Sequence, residues 1–224
     1  MLLAAYNEAE RIAATLAALH RAFPGASVWV ADDGSTDATA EIARQTGARV
    51  VRSAQVIGKG AAVTGAARSA LQEADATSMF VLCDGDLGDC AVELAALLEP
   101  LERDRADLAV AAFSRRVGGG VGLALGFARW AIRRRCGLLS TAPISGQRAL
   151  RRGALEDVLP FAHGFGMEIG MTIDAVRAGH RLVEVELDLE HRATGRTLAG
   201  FAHRGRQLVD FVRVYLSRRR SARA

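Results

Sequence analysis

Cysteine, lysine, aromatic residues and long hydrophobic runs are scarce in this sequence. The three cysteines, Cys83, Cys90 and Cys136, form no Cys-x-x-Cys pair, so a zinc knuckle or a disulfide framework is disfavoured and reduced thiols are expected. Phe, Trp and Tyr make up only 5% of the residues, whereas nucleic-acid-binding surfaces combine basic grooves with stacking rings. A nucleic-acid-binding module is therefore the weaker interpretation of the basic charge, and we expect no nucleic-acid partner.

The sequence also lacks an apolar run long enough to span a bilayer, and its start lacks the basic and apolar regions of a signal peptide. We therefore expect a cytoplasmic protein, with peripheral contact at the inner face of the cell membrane left open. The formal net charge is +4, and much of the excess lies in 133–135 and at the chain end. The segment 121–136 has one apolar side, which suits a helix packed on the domain, as we favour, or one lying on a membrane.

What is present indicates one α/β domain. Half of the 224 residues are apolar, which is enough to bury one substantial core. In the second half, strands are predicted at 144–150 and, half-exposed, at 182–189. In the first half, apolar strand patterns alternate with helical ones: the strands are predicted at the ranges 2–6, 28–31, 48–52, 79–83 and 108–113, and the helix after the fourth strand at about 91–103. This alternation predicts a mostly parallel, Rossmann-like sheet with helices on both faces.

The central motif is Asp84-Gly85-Asp86, which follows the buried strand pattern at 79–83. Open α/β sheets bind ligands at the carboxyl ends of their strands. Two carboxylates separated by a glycine suit a hard cation that also contacts phosphate, so we expect Mg²⁺ or Mn²⁺. Taken alone, the motif is equally compatible with a simple turn.

Other strand ends carry charges that point to the same kind of site. Asp32 and Asp33 follow the second strand, and such adjacent acids repel each other unless a donor or cation compensates. Lys59, the only lysine, is flanked by Gly58 and Gly60 at a helix start, which suits a phosphate clamp. It is not a P-loop, and no Gly-x-Gly-x-x-Gly follows the first strand, so a dinucleotide site is disfavoured.

Together these motifs closely resemble family 2 glycosyltransferases, the inverting enzymes of the GT-A fold. The resemblance rests on the ordered set 5–8 (Ala-Tyr-Asn-Glu), 32–37 (Asp-Asp-Gly-Ser-Thr-Asp), 58–60 (Gly-Lys-Gly) and 84–86 (Asp-Gly-Asp). The stretches 145–148 and 164–168 are similar to those of polyprenyl-phosphate sugar transferases of the dolichol-phosphate mannose synthase type. The loop at His191 and Arg192 is similar to that of glucosyl-3-phosphoglycerate synthases.

This resemblance implies a donor site, a metal site and a division of the chain. The donor would be a UDP- or GDP-linked sugar, and the metal would bridge its two phosphates. The expected donor-binding residues are Ala4, Ala5, Tyr6, Glu8, Asp33, Lys59, Asp84 and Gly85; the expected metal ligands are Asp84, Asp86 and His191. Within the single domain 1–224, residues 1–113 would bind the donor, 114–198 the acceptor, and 199–224 would form a basic helix.

The acceptor determines which catalytic groups are needed. A hydroxyl acceptor requires a carboxylate base, for which Glu168 and Asp89 are candidates beside the metal-binding Asp86. A phosphate acceptor is already anionic and needs positioning, which guanidinium groups provide. The expected acceptor-binding residues are Arg115, Arg116, Ser145, Gln147, Arg148, Arg192 and Arg196.

We expect transfer to a polyprenyl phosphate, with a soluble phosphorylated acceptor such as 3-phosphoglycerate as the alternative. Gly88 stands where the lipid-phosphate branch often has a side-chain ligand, which weakens the first choice. The Gln-x-x-Arg-Trp motif of processive synthases is missing, because Gly126 precedes Arg129-Trp130, and this favours one transfer per encounter. A nucleotidyltransferase could use a similar sheet edge but would release pyrophosphate.

Overall fold

The computed structural model describes residues 1–76, 78–113, 123–187 and 209–218. The described strands are β1 (Leu2–Ala5), β2 (Trp29–Asp32), β3 (Arg49–Arg52), β4 (Met79–Asp84), β5 (Leu108–Phe113), β6 (Arg148–Arg151) and β7 (Leu182–Leu187). The described α-helices are α1 (Ile12–Ala22), α2 (Thr39–Gln45), α3 (Lys59–Glu73), α4 (Glu99–Glu102), α5 (Leu123–Cys136), α6 (Arg152–Val158), α7 (Met167–Ala178) and α8 (209–217). Two 3₁₀ segments, Gly88–Leu97 and Gly164–Gly166, precede α4 and α7.

All seven strands belong to one sheet in the order β3-β2-β1-β4-β6-β5-β7. The pairs β1–β2, β2–β3, β1–β4 and β5–β7 are parallel, whereas β6 runs antiparallel to both β4 and β5. The mostly parallel α/β sheet predicted from the alternation is therefore confirmed. Reversal of β6 was not predicted, and it places the amino end of β6 beside the carboxyl end of β4.

The register brings the acidic ends of β2 and β4, with the end of β1 between them, to one edge of the sheet. Ala5 of β1 lies opposite Asp32 of β2, and Ala4 lies opposite Asp84 of β4. Leu82 of β4 lies opposite Arg148 of β6, so the loop before β6 reaches the same edge. We call this the acidic edge of the sheet.

Helices cover both faces of the sheet, because apolar side chains of each strand alternate between them. Leu3 and Val81 pack with α1 and the 3₁₀ segment Gly88–Leu97, whereas Leu2 and Leu82 pack with α3, α6 and α7. A third apolar cluster joins α5, α7 and α8. The two-faced burial expected from near-continuous apolar strands is thus present.

Some element boundaries differ from the sequence prediction. The helix predicted at 91–103 is a 3₁₀ segment followed by the one-turn α4, in which Pro100 stands at the start where its missing N–H costs little. The strand predicted from Ile144 begins only at Arg148. Among the helices of the described ranges, none combines the length and apolar character needed to cross a bilayer.

Candidate active site

Lys59 is the centre of the charged group at the acidic edge. Its Nζ lies 2.7 Å from Asp84 Oδ1 and 2.9 Å from Glu168 Oε1. Burial disfavours the ammonium, but the two carboxylates outweigh that cost, so the pKa of Lys59 is raised above its ordinary value. Lys59 thus links the amino end of α3 to the carboxyl end of β4 and to the first turn of α7.

The loop before β6 closes over this ion pair. Gln147 Nε2 donates to Asp84 Oδ2 at 3.0 Å. A Cβ atom added to Gly146 would lie 2.8 Å from both Asp84 Oδ2 and Lys59 Nζ. A side chain at 146 would therefore crowd the ion pair, and the Asp84 carboxylate or the Lys59 ammonium would have to shift to admit it.

Asp33 organises the chain that leads to Lys59. Its carboxylate accepts hydrogen bonds from the backbone amides of Ile57 (2.7 Å) and Gly58 (3.0 Å). Gly58 has a φ of 92°, a backbone conformation that favours glycine.

The neighbouring Asp32 is fully buried and accepts from the Ser35 amide, with Arg52 Nε 3.2 Å away. The adjacent acids are compensated by these donors, as their sequence position predicted.

The turn after β1 is fixed by hydroxyl groups from the turn after β2. The Asn7 amide donates to Ser35 Oγ, and the Glu8 amide donates to Thr39 Oγ1. Asn7 has a φ of 55° and its side chain accepts from the Thr36 amide.

Of the predicted donor-binding residues in this turn, Ala5 is buried, Ala4 and Glu8 are half-buried, and Tyr6 is exposed.

Glu8 completes an acidic group with Asp84 and Asp86. Burial raises the pKa of Glu8, and the charges of Asp86 and Asp84 raise it further, whereas Arg11 opposes them. A Cβ atom on Gly85 would lie 3.2 Å from the Ala4 carbonyl oxygen and 3.6 Å from Glu8 Cγ. The tight glycine turn therefore brings β4's acids against the end of β1.

These residues suit a hard cation through their chemistry. Asp84 is already engaged by Lys59 and Gln147, whereas Asp86 forms no hydrogen bond or ion pair with any residue that the structure describes. Within the described ranges, no group of three or more His, Cys, Asp or Glu side chains could hold a metal alone. The fit is therefore to an ion held mainly by Asp86, with Asp84 nearby and phosphate oxygens as further ligands.

Thr15 holds the Asp84-Gly85-Asp86 turn, a role that was not predicted from the sequence. Its buried hydroxyl donates to the Gly85 carbonyl at 2.9 Å and accepts from the Gly88 amide at 2.8 Å. These bonds bracket Asp86. The available signal was a polar residue on the apolar face of α1, between Ile12 and Leu16.

Two predicted catalytic carboxylates occupy different surroundings. Glu168 is buried in the first turn of α7 and is held by Lys59, so it belongs to the charged group. Asp89 is 82% exposed and pairs with Arg21 in the last turn of α1 at 2.8 Å. The structure therefore does not bring Asp89 into the site, because its carboxylate is directed along the outside of α1.

Arg148 lies beneath the site. It is fully buried, with Nε donating to the Ser145 carbonyl and Nη1 to Thr172 Oγ1, both within 2.9 Å. Burial lowers its pKa to about 10, opposed by Glu168 and Glu184. This position suits support of the loop at Ser145, and it argues against the predicted direct contact between Arg148 and an acceptor.

Glu184 anchors the other end of that loop and was not singled out in the sequence. Its carboxylate accepts from Ser140 Oγ at 2.6 Å and from the backbone amides of Thr141 and Ala142. Burial would raise its pKa, but these donors outweigh burial and lower it. The alternating pattern of β7 predicts only a half-exposed strand, so no sequence signal pointed to this role.

Several predicted acceptor and metal residues lie outside the described residues: Arg115, Arg116, His191, Arg192 and Arg196. Ser145 and Gln147, the remaining acceptor candidates, are buried, and they border the charged group through the loop before β6. Their predicted roles stay predictions.

Similarity to known proteins agrees with this geometry. The model of the family "Glycosyl transferase family 2" matches residues 2–159. An undecaprenyl-phosphate mannosyltransferase from Micrococcus luteus is 30% identical over 96% of this chain and 92% of its own length. Glycosyltransferase AglJ from Haloferax volcanii is 32% identical over 85% of this chain, and the chain spans only 62% of its length.

A solved structure has the same fold. Glucosyl-3-phosphoglycerate synthase from Mycobacterium tuberculosis, in complex with Mn²⁺, uridine diphosphate and phosphoglyceric acid, superposes with a TM-score of 0.75. It is 29% identical, and the match covers 96% of this chain and 76% of that one. Since the family model spans more than half of the sequence and the sheet agrees, the chain belongs to glycosyltransferase family 2 and has the GT-A fold.

Proposed function

We propose that this protein is an inverting, metal-dependent glycosyltransferase that moves a sugar from a nucleoside-diphosphate sugar to a polyprenyl phosphate. The observation that carries the acceptor is the near-complete match, over both chains, to a relative named as an undecaprenyl-phosphate mannosyltransferase. A polyprenol monophosphomannose synthase from Mycolicibacterium smegmatis, 27% identical over 87% of this chain, supports the same choice. The protein would work in the cytoplasm, at the inner face of the cell membrane.

The donor would bind along the acidic edge. Ala4, Ala5, Tyr6 and Asp33 would border the base and ribose, and Lys59 the diphosphate. The Asp33 carboxylate orders the amides at 57 and 58, so it also fixes where Lys59 begins α3. Residues 1–113 would thus form the donor half of the domain, with 114–198 facing the acceptor and 199–224 forming a basic end.

Asp86 would be the main ligand of Mg²⁺ or Mn²⁺, with Asp84 beside it and His191 as a further ligand. The bound ion would stabilise the charge that develops on the leaving diphosphate. Glu8 adds negative charge next to Asp86, so a cation would relieve repulsion that the metal-free site contains. The chain itself contributes the position of these acids through the Thr15 hydrogen bonds to Gly85 and Gly88.

A phosphate acceptor needs no base, because it is anionic near neutral pH. Arg115, Arg116, Arg192 and Arg196 would grip it, and guanidinium groups do so bidentately. Glu168, held by Lys59 at 2.9 Å, would then act in positioning Lys59; with a hydroxyl acceptor it would be the base. The two acceptor classes therefore predict different consequences of replacing Glu168.

A soluble phosphorylated acceptor such as 3-phosphoglycerate is the second candidate. The observation that favours it is the likeness to a glucosyl-3-phosphoglycerate synthase solved with phosphoglyceric acid. Transfer assays with radiolabelled UDP- and GDP-sugars would compare short-chain polyprenyl phosphate with 3-phosphoglycerate. Product only with the latter would overturn the polyprenyl assignment and leave the family chemistry intact.

The donor assignment is tested by thermal shift with UDP and GDP, with and without Mn²⁺. A ligand at one hundred times its dissociation constant stabilises the fold by about 2.7 kcal/mol. Asp86→Ala should abolish the Mn²⁺-dependent part of the shift, because the main ligand is lost. Asp89→Ala is the matched control, since that carboxylate pairs with Arg21 on the surface. An unchanged Mn²⁺-dependent shift in Asp86→Ala would contradict the metal site.

A further inference from the structure

One face of α8 and the neighbouring part of α5 expose large apolar side chains. Val209, Val212 and Leu216 are 49%, 37% and 45% exposed, and Trp130 of α5 is 49% exposed. The spacing of three and four residues keeps the three α8 side chains on one helix face. Phe211 and Val214, on the opposite face, are buried against α5 and α7. We call the exposed set the α5–α8 surface.

The aromatic rings make this surface continuous across the two helices. Trp130 lies 4.8 Å from the Tyr215 ring and 5.5 Å from the Phe127 ring, measured between centroids. The Arg135 guanidinium stacks on the Tyr215 ring, with its central carbon 3.7 Å from the ring centroid. Trp130 is therefore held in place at the edge of the α8 stripe.

The surroundings of the α5–α8 surface are basic. Arg129, Arg133, Arg134 and Arg213 are exposed beside it. Residues 123–136 contain no acid, and 209–218 contain only Asp210. The Asp210 carboxylate accepts from the Phe165 amide at 3.2 Å and has Arg213 3.5 Å away. A second copy docked by two-fold symmetry would place these arginines against each other, whereas an anionic layer would complement them.

The surface is also linked to the active site. Asp210, at the start of α8, contacts the 3₁₀ turn that precedes Met167 and the site residue Glu168. At the other end, Arg218 forms an ion pair with Asp174 of α7, so α8 runs alongside α7 in the same direction. The first turn of α8 therefore lies near the acidic edge.

We propose that the α5–α8 surface docks on an anionic lipid bilayer, with Trp130, Val212 and Leu216 entering the headgroup boundary and the arginines facing lipid phosphates. Tryptophan and aliphatic side chains with flanking cations are the combination that binds such interfaces. This inference rests on the proposed function, because a polyprenyl phosphate presents its phosphate at the membrane. Docking through this surface would bring the acidic edge to the acceptor.

Tryptophan fluorescence tests the inference directly, because the chain contains only two tryptophans, Trp29 and Trp130. Trp29→Phe leaves Trp130 as the single reporter. Vesicles of phosphatidylglycerol should shift its emission to shorter wavelength, and lipids brominated on the acyl chain should quench it. Vesicles of phosphatidylcholine should do so much less, and added salt should weaken the effect.

Co-sedimentation with the same vesicles separates the contributions. Arg133→Glu/Arg134→Glu should reduce binding by about 10-fold or more, since each basic residue near an anionic surface contributes substantially. Val212→Ser/Leu216→Ser should also reduce it. The matched control is Arg44→Glu/Arg103→Glu, which makes the same charge change at exposed sites away from this surface. This control variant should bind the vesicles about as well as the wild-type protein does. Far-UV circular dichroism checks that each variant is folded.

Equal binding by the two charge-reversed variants, or no change in Trp130 emission with phosphatidylglycerol, would overturn the inference. Self-association in sedimentation velocity that Val212→Ser/Leu216→Ser abolishes, without vesicle binding, would assign the surface to a second copy and overturn it too. Failure of the proposed function is distinguishable: vesicle binding would persist, but no sugar would reach even short-chain polyprenyl phosphate in solution. Docking is supported when the surface variants lose transfer only to long-chain acceptor in vesicles.

Discussion

Lys59 is the residue that ties the end of β4 to α7. Its ammonium is shared by Asp84 and Glu168, and the backbone of Gly146 lies close against it. The wider planar fork of an arginine would need different geometry at each carboxylate. A compact ammonium therefore suits this position, where the chain has its only lysine.

Lys59→Met should lower the free energy of unfolding by about 2 kcal/mol. The loss should be smaller than for a fully buried pair, because Lys59 and Asp84 remain 29% and 28% exposed in their side chains. The double variant Lys59→Met/Glu168→Gln should recover part of the loss, because a neutral amide is less costly to bury than an unpaired carboxylate. Urea denaturation measures both.

The control for that series is Arg21→Met, which breaks the exposed pair with Asp89 and should cost less than about 0.5 kcal/mol. If Lys59→Met and Arg21→Met unfold at the same urea concentration, the ion pair does not stabilise the site. Strict additivity in the double variant would show that Lys59 and Glu168 are not coupled.

Glu8 should give the metal-free protein a specific pH dependence. Its pKa is raised by burial and by Asp86 and Asp84, so the folded protein binds the proton more tightly than the unfolded chain does. The stabilisation from this proton is fully present below the ordinary glutamate pKa of about 4.3 and is lost as pH rises through the raised folded value. Glu8→Gln should therefore melt at a higher temperature than wild type near pH 7, with the gap closing toward pH 4.

Melting curves of both proteins from pH 4 to pH 8 in chelator check this prediction. The gap at neutral pH should be small, within about 1 kcal/mol, because Glu8 is partly solvated. Adding UDP and Mn²⁺ should reverse the order, since Glu8→Gln removes negative charge next to the cation. A pH-independent gap would contradict the electrostatic interpretation.

At the scale of elements, the first turn of α3 packs directly against the backbone that precedes α7. A Cβ atom on Gly60 would lie 1.9 Å from the Ala162 carbonyl oxygen. Thr64, one turn later, accepts from the Phe161 amide at 3.0 Å. The start of α3, and with it Lys59, is therefore positioned by residues about one hundred positions later in the chain.

Gly60→Ala should lower donor binding by about 10-fold or more, because the backbone must move where Lys59 begins the helix. It should also destabilise the fold, unlike an ordinary glycine-to-alanine change in a helix, which gains about 0.5–1 kcal/mol. Gly65→Ala in the same helix is the matched control, since its added Cβ would make an ordinary 3.6 Å contact with Val51. UDP titration by calorimetry and thermal melting measure the two effects. Equal behaviour of the two variants would contradict the close packing.

At the scale of the whole molecule, the site exists because three parallel strands end at one edge and an antiparallel strand begins there. The β1, β2 and β4 ends come from the first 84 residues, whereas β6 starts at Arg148. The α5–α7–α8 layer then packs beside the site through its own apolar cluster. The acidic edge and the α5–α8 surface are thus parts of one packed unit within the described residues.

Local sequence pattern was enough to predict the α/β class and the acidic edge. An apolar run followed by acids and glycines marks where a strand ends, and parallel strands must end at the same side of a sheet. The prediction that Asp33, Lys59 and Asp84 lie together therefore needed no tertiary information. Family resemblance added the metal and the sugar nucleotide to that geometry.

Only the tertiary structure determined which partners these groups have. Lys59 and Glu168 are 109 residues apart. The reversal of β6, which places Gly146 against Lys59 and Asp84, depends on pairing with β4 and β5. The burial of Arg148 and the surface position of Asp89 likewise follow from packing between distant segments. Periodicity reports which side of an element is apolar, but it carries no information on which other element covers that side. For this physical reason the sequence predicts the elements and the edge where they end, whereas the contacts between distant segments depend on the tertiary structure.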